Sequence, residues 1–263
     1  MIEDIKRYIV KNLLLEKHYR FSLIAHFLSL AITICIFFFI DKFFKAYIQH
    51  YILNRQDYFS YVFAAFIIFN YSSGNSTVIQ IVNSDISYGI FEFISNRKNF
   101  FIPYMVSAYL YSFILATLEG IFYLTIASHL KIIKLNANFP SVLILLFISS
   151  AIFCAFAFIN ASFFVIFKKG NIAAFFYGIV ESIFGAIYFP PQVLGKISII
   201  SNLIPITHSV SAVQKIIYQR ASVLELKEFY ILLVFLVISI PFSYICFRKA
   251  VNTSRKLGNL SHY

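Results

Sequence analysis

Six apolar runs, separated by shorter polar stretches, follow one another at about 21–41, 58–82, 103–128, 141–167, 171–189 and 229–247. Each approaches the roughly 20 residues a helix needs to cross hydrocarbon. The pattern therefore predicts six transmembrane helices. The fifth run is the shortest and stops at Pro190 and Pro191. Beyond it, residues 188–209 read YFPPQVLGKISIISNLIPITHS, apolar enough to enter a bilayer but carrying Pro190, Pro191 and Pro205. A proline inside a helix removes a hydrogen-bond donor and costs about 3 kcal/mol. Non-helical backbone survives at membrane depth only where protein or a water-filled cavity surrounds it. The expectation is a re-entrant pair of short helices that dips in from the outer face, turns at the prolines and caps a cavity.

Residues 1–20 do not read as a span. Ile2, Ile5, Ile9 and Leu13 recur at helical spacing, while Lys6, Lys11, Lys17 and Arg20 share the other faces with acids. Such a helix is expected to lie in the headgroup plane.

Composition sharpens this picture. Of 263 residues, 60% are hydrophobic and 13% charged, with a mean hydropathy of +0.80. A soluble domain cannot hide that much apolar surface. The expected class is an all-α polytopic membrane protein, a single transmembrane domain over 1–263. The net charge of +11 would suggest nucleic acid on a soluble protein. Here the basic residues flank the spans and face anionic lipid, and no nucleic-acid partner is expected. With the N-terminus inside, thirteen Lys and Arg fall on inner segments and nine on outer ones. This predicts both termini in the cytoplasm, and the expected location is a prokaryotic plasma membrane.

Candidate chemistry is sparse. Cys35, Cys154 and Cys246 sit in apolar runs and suggest neither a disulfide set nor a zinc site. The six histidines form no HxxxH or HExxH pair, so no metal centre is expected. No phosphate-binding GxxxxGK[ST] loop and no GxSxG or CxxC motif is present. No catalytic residue is therefore expected, and any energised work must draw on an ion gradient or another chain. Glu119 and Glu181 lie inside expected spans, where a charge costs about 2.5–3.5 kcal/mol and is normally turned inward, paired or neutralised. They read either as cavity-lining or proton sites, or as structural hydrogen bonds in the bundle.

The inner loop after the second span reads NSDISYGIFEFISNRKNFFIP. Asp85 and Glu92 fall on successive helical turns around Gly89, with Tyr88, Phe91 and Phe93 between and beside them. A short amphipathic helix over 84–94 would suit a groove on a partner. The alternative is a solvated turn lying on the headgroups.

These features together resemble the membrane-spanning permease of ABC-2-type exporters. Asp85-Ile-Ser-Tyr-Gly89-Ile-Phe-Glu92 matches the family's acid, glycine and glutamate before the third span, with Ile86 where Arg is usual. Gly185, Phe189-Pro190, Leu194 and Pro205-Ile206-Thr207 match its pattern before the last span, with Gly195 in place of a second proline, and Lys215 or Arg220 fills the place of the basic residue that usually follows. The resemblance implies a half-transporter that is not itself an enzyme. Two copies would form the pathway, with the first and fifth spans at their interface. A separate ABC ATP-binding subunit, carrying Mg-ATP, would receive Asp85, Gly89 and Glu92 and the N-terminal helix. Phe189, Pro190, Pro191, Leu194, Pro205 and Thr207 would form the outer gate. Two other readings stand beside it. One is a gradient-driven secondary transporter using Glu119 and Glu181. The other is a lipid-modifying membrane enzyme, which would need clustered His, Asp, Glu or Cys at one depth.

Overall fold

The computed structural model describes residues 1–18, 28–29, 31–33, 35–36, 39, 58–97, 99–129, 138–167 and 172–258. The expected first span, 21–41, lies for the most part outside the described residues. The others form α1 (Ile2–His18), α2 (Tyr58–Ser87), α3 (Ile90–Ser95), α4 (Phe101–His129), α5 (Phe139–Phe167), α6 (Ile172–Phe184), α7 (Pro205–Gln219) and α8 (Lys227–Lys256). A 3₁₀ stretch, Pro191–Leu203, precedes α7, and a short one, Val223–Glu225, precedes α8. Among the described residues there is no strand.

Four of these helices, α2, α4, α5 and α8, are long and apolar enough to cross a membrane. The bent pair of the 3₁₀ stretch and α7 could make a fifth. The fifth apolar run departs from expectation. It forms only the 13-residue α6, about 20 Å long, against a hydrocarbon core of about 30 Å. The helix ends at Phe184, before the prolines are reached. Ala186 then takes a left-handed backbone, φ +58°. The prolines act as starts rather than breaks: Pro191 opens the 3₁₀ stretch and Pro205 opens α7, positions where a missing N–H costs nothing. Gly195, at φ +57°, kinks the 3₁₀ stretch, and that stretch meets α7 at 105°.

Two buried clusters stack along the long helices. One joins the first half of α2 (Phe63–Tyr71), the first half of α5 (Leu145–Phe153), α7, and Phe229 and Leu232 of α8. The other joins Val78–Ile86 of α2, Phe91 of α3, Tyr104–Tyr111 of α4, Cys154–Val165 of α5, Phe247–Val251 of α8, and Tyr8 of α1. Helices α2, α5 and α8 thus run parallel, with α4 antiparallel to them. Because Tyr8 and Val251 share a cluster, α1 and the end of α8 lie at one end of the bundle. The 30 residues of α2 span about 45 Å and separate the two clusters' outer ends.

Candidate functional site

At one end of α2 the chain makes an elbow. Gly89, at φ 70°, ψ 3°, stands between Ser87 at the end of α2 and α3. The expected single helix over 84–94 is therefore two helices with a left-handed residue between them. Asp85 and Glu92 do not share a face. Asp85 is in the last turn of α2 and fully buried. Its carboxylate accepts from the Lys11 ammonium of α1 at 2.5 and 2.7 Å and from the Tyr104 hydroxyl of α4 at 2.9 Å. A buried carboxylate needs such donors, and they decide where it points. Asp85 is thus a clamp joining three helices, not a docking residue. Burial pushes the neighbouring Tyr8 phenol above its ordinary range, so it stays neutral and packs edge-on to Tyr104 at 5.8 Å.

Helix α3 has two faces. Phe91 is fully buried and packs edge-on to Phe100, Tyr104 and Phe247 at 5.7, 5.9 and 6.4 Å. Glu92, Phe93 and Tyr88 point outward, Phe93 at 71% exposure. The Arg97 guanidinium lies 5.9 Å over the Phe93 ring. Arg255 near the end of α8 donates to the Ser95 carbonyl, so the C-terminal helix grips the same elbow. A Cβ on Gly89 would meet nothing within 4 Å, so only its backbone conformation demands glycine. Gly89→Ala is expected to cost about 1–2 kcal/mol of thermal stability in detergent and Gly89→Asn less, since Asn tolerates the left-handed region.

At the other end of α2 the kinked segment is laced to the bundle by side chains. Thr207 donates to the Phe184 carbonyl at 3.0 Å, and Tyr61 donates to the Ala186 carbonyl at 2.8 Å. Both carbonyls lie where α6 ends and would otherwise lack partners. Tyr218 donates to the Ser60 carbonyl at 2.6 Å and Gln214 to that of Tyr61 at 3.3 Å, tying α7 to the start of α2. Ser149 of α5 pairs with Ser209 at 2.9 Å. Lys215 pairs with Glu228 of α8 at 2.5 Å, whereas Arg220 is the left-handed residue that ends α7. Of the residues expected at a gate, Pro190, Pro205 and Thr207 are buried in this joint, and Phe189, Pro191 and Leu194 are partly buried. Val193, Ile197, Ile199 and Leu203 of the 3₁₀ stretch face outward.

Between the two ends, a polar layer crosses the middle of α2; Glu181, an expected intramembrane polar residue, belongs to it, and Asn70, Tyr71 and Ser72 are additional to the expected site residues. Asn70 donates to the Ala116 carbonyl at 2.9 Å, Tyr71 meets Thr117 at 3.1 Å, and Ser72 donates to Glu181 at 2.6 Å. Glu181 is buried, a strut between α6 and α2. Glu119 is partly buried on α4, near Tyr71 and Tyr123. The available signal was the run NYSSGNST, residues 70–77, inside an otherwise apolar stretch. Among the described residues, no group of three His, Cys, Asp or Glu could hold a metal ion.

Comparisons with protein families, with curated proteins and with solved structures returned no match for this chain.

Proposed function

We propose that this chain is the membrane-spanning subunit of an ATP-driven exporter of the ABC-2 permease kind. In this reading residues 21–41 and the α6 region complete six spans, and both termini lie in the cytoplasm. The kinked segment is the re-entrant outer gate, and two copies enclose the pathway. The observation that carries the reading is the elbow: an exposed Glu92, Phe93 and Tyr88 surface backed by a buried Phe91 and the Lys11–Asp85–Tyr104 clamp. It sits at the opposite end of α2 from the kinked segment.

That arrangement makes a lever. A push on α3 passes through Phe91 to Tyr104 and Phe247, and through Asp85 to α1. Helix α2 carries it as a packed rod to Ser60 and Tyr61, whose bonds hold α7 and the end of α6. Hydrolysis belongs to the partner subunit, which binds Mg-ATP. Its binding moves nothing unless its contacts to the elbow differ between the nucleotide states.

The test is co-purification with an ATP-binding protein whose hydrolysis rate responds to this chain. Glu92→Arg is expected to leave the chain inserted and bound lipid unchanged, and to cut coupled hydrolysis about tenfold, the effect of roughly 1.4 kcal/mol lost from the docking contact. Solute movement by the purified chain alone on a proton or sodium gradient would favour the reading built on Glu119 and Glu181 instead.

A further inference from the structure

Helix α2 turns an uncharged polar face outward. Its exposed described side chains are Ser73, Ser76, Gln80 and Ser87, and Thr77, Asn83 and Ser84 border them, partly buried. At 3.6 residues per turn these seven fall within an arc of about 120° and extend about 21 Å along the axis. No large apolar side chain described on α2 is exposed. The other long helices do the reverse, offering Ile114 and Leu118 on α4, Leu143 and Phe147 on α5, and Val234 and Val237 on α8. Those three helices have surfaces fit for lipid, and α2 does not.

The serines can satisfy their protons locally: Ser73 donates to the Asn70 carbonyl and Ser76 to the Ser73 carbonyl, both at 2.6 Å. Gln80, mid-stripe, has a carboxamide that bonds no described residue. In hydrocarbon each such unmet polar group costs several kcal/mol. One end of the stripe, at Ser87, opens beside the exposed Tyr88 and the elbow. At the other end the same arc turns aromatic at Phe69 and Phe66. Phe66 packs on Phe69 at 5.9 Å and on Tyr188 of the kinked segment at 6.3 Å.

We propose that this face of α2 lines a water-filled passage, open at the Gly89 end and closed at the Phe66–Tyr188 layer, that takes uncharged hydrogen-bonding groups of a cargo. Hydroxyls and amides replace part of the hydration of such groups, while the absence of charge gives no strong site to hold them. The inference rests on the membrane-spanning part of the permease reading and not on the ATPase.

The test is thiol labelling in sealed vesicles of both orientations. Cys35, Cys154 and Cys246 are replaced, and single cysteines are placed by Ser76→Cys, Gln80→Cys and Ser84→Cys, with Leu118→Cys and Leu143→Cys as lipid-facing controls. The probe is a small, charged, membrane-impermeant methanethiosulfonate. Because the thiolate is the reacting species, cysteines in water are expected to react about 100-fold faster than the controls, from the Gly89 side only. Complete labelling by a permeant maleimide after unfolding in detergent confirms that each chain is present. The proposal is overturned if Ser76→Cys and Gln80→Cys are as slow as the controls, whether a second copy, residues 21–41 or lipid covers them. Labelling only from the opposite side also overturns it. A chain that labels as expected yet couples to no ATPase retains the passage and loses the permease reading.

Discussion

Asp85→Ala lowers the stability of the detergent-solubilised chain by about 3 kcal/mol and frees α1 to proteolysis. Removing one member of a buried ion pair typically costs about 3–5 kcal/mol, because the other charge is left uncompensated. Lys11 retains 23% exposure and can turn toward water, which places the loss at the low end. Tyr104 adds to it, since its fully buried hydroxyl loses its acceptor at a cost of about 1–3 kcal/mol. Asp85→Asn keeps an acceptor for Tyr104 and should lose less. Lys11→Met should lose at least as much as Asp85→Ala, because the carboxylate it abandons has no exposure at all. The double variant Lys11→Met, Asp85→Leu should recover much of the loss, since neutral replacement of both partners is often close to neutral. Thermal midpoints of the parent, Lys11→Met, Asp85→Leu and the double variant, set out as a cycle, read the coupling. A cycle in which both single losses simply add would show that the clamp holds nothing.

The clamp also marks where sequence reading stops. Runs at 103–128, 141–167 and 229–247 correspond to α4, α5 and α8, the first two slightly longer in the structure and the last carried well past its expected end to Lys256. Such helices declare themselves because apolar composition over about 20 residues is a local property. Whether Asp85 faces in or out is not local. It depends on an ammonium 74 positions earlier and a phenol 19 positions later. The break at Gly89 had a local sign, a glycine between two helical patterns, but the spacing of Asp85 and Glu92 argued for continuity and concealed it. The polar arc from Ser73 to Ser87 was legible in principle. It escaped because the apolar residues on the other faces of α2, buried against its neighbours, dominate any average over the run.

The end of α6 is the other feature that composition could not supply, and it leads to the second large effect. Gly185→Ala should cost about 1–3 kcal/mol, the usual range for overpacking a close contact, and Gly185→Val more. A Cβ there would lie 2.3 Å from the Glu181 carbonyl oxygen and 2.8 Å from Cγ2 of Ile206, which is fully buried at the start of α7. Neither neighbour is a flexible tip that can move aside. The Glu181 carbonyl already accepts the Gly185 N–H at 2.8 Å, and Ile206 sits between Pro205 and the bonded Thr207. Relief therefore requires the end of α6 to unwind around Gly185, which disturbs the flanking Thr207–Phe184 and Tyr61–Ala186 bonds together. Trimming Ile206 as well should restore little, because the closer obstruction is backbone. The expected signature is a lowered thermal midpoint with normal membrane insertion and, in the permease reading, loss of transport while partner binding at the elbow persists. A Gly185→Ala chain as stable as its parent would mean that the joint yields without strain, and a gate hinged there would then have no mechanical basis.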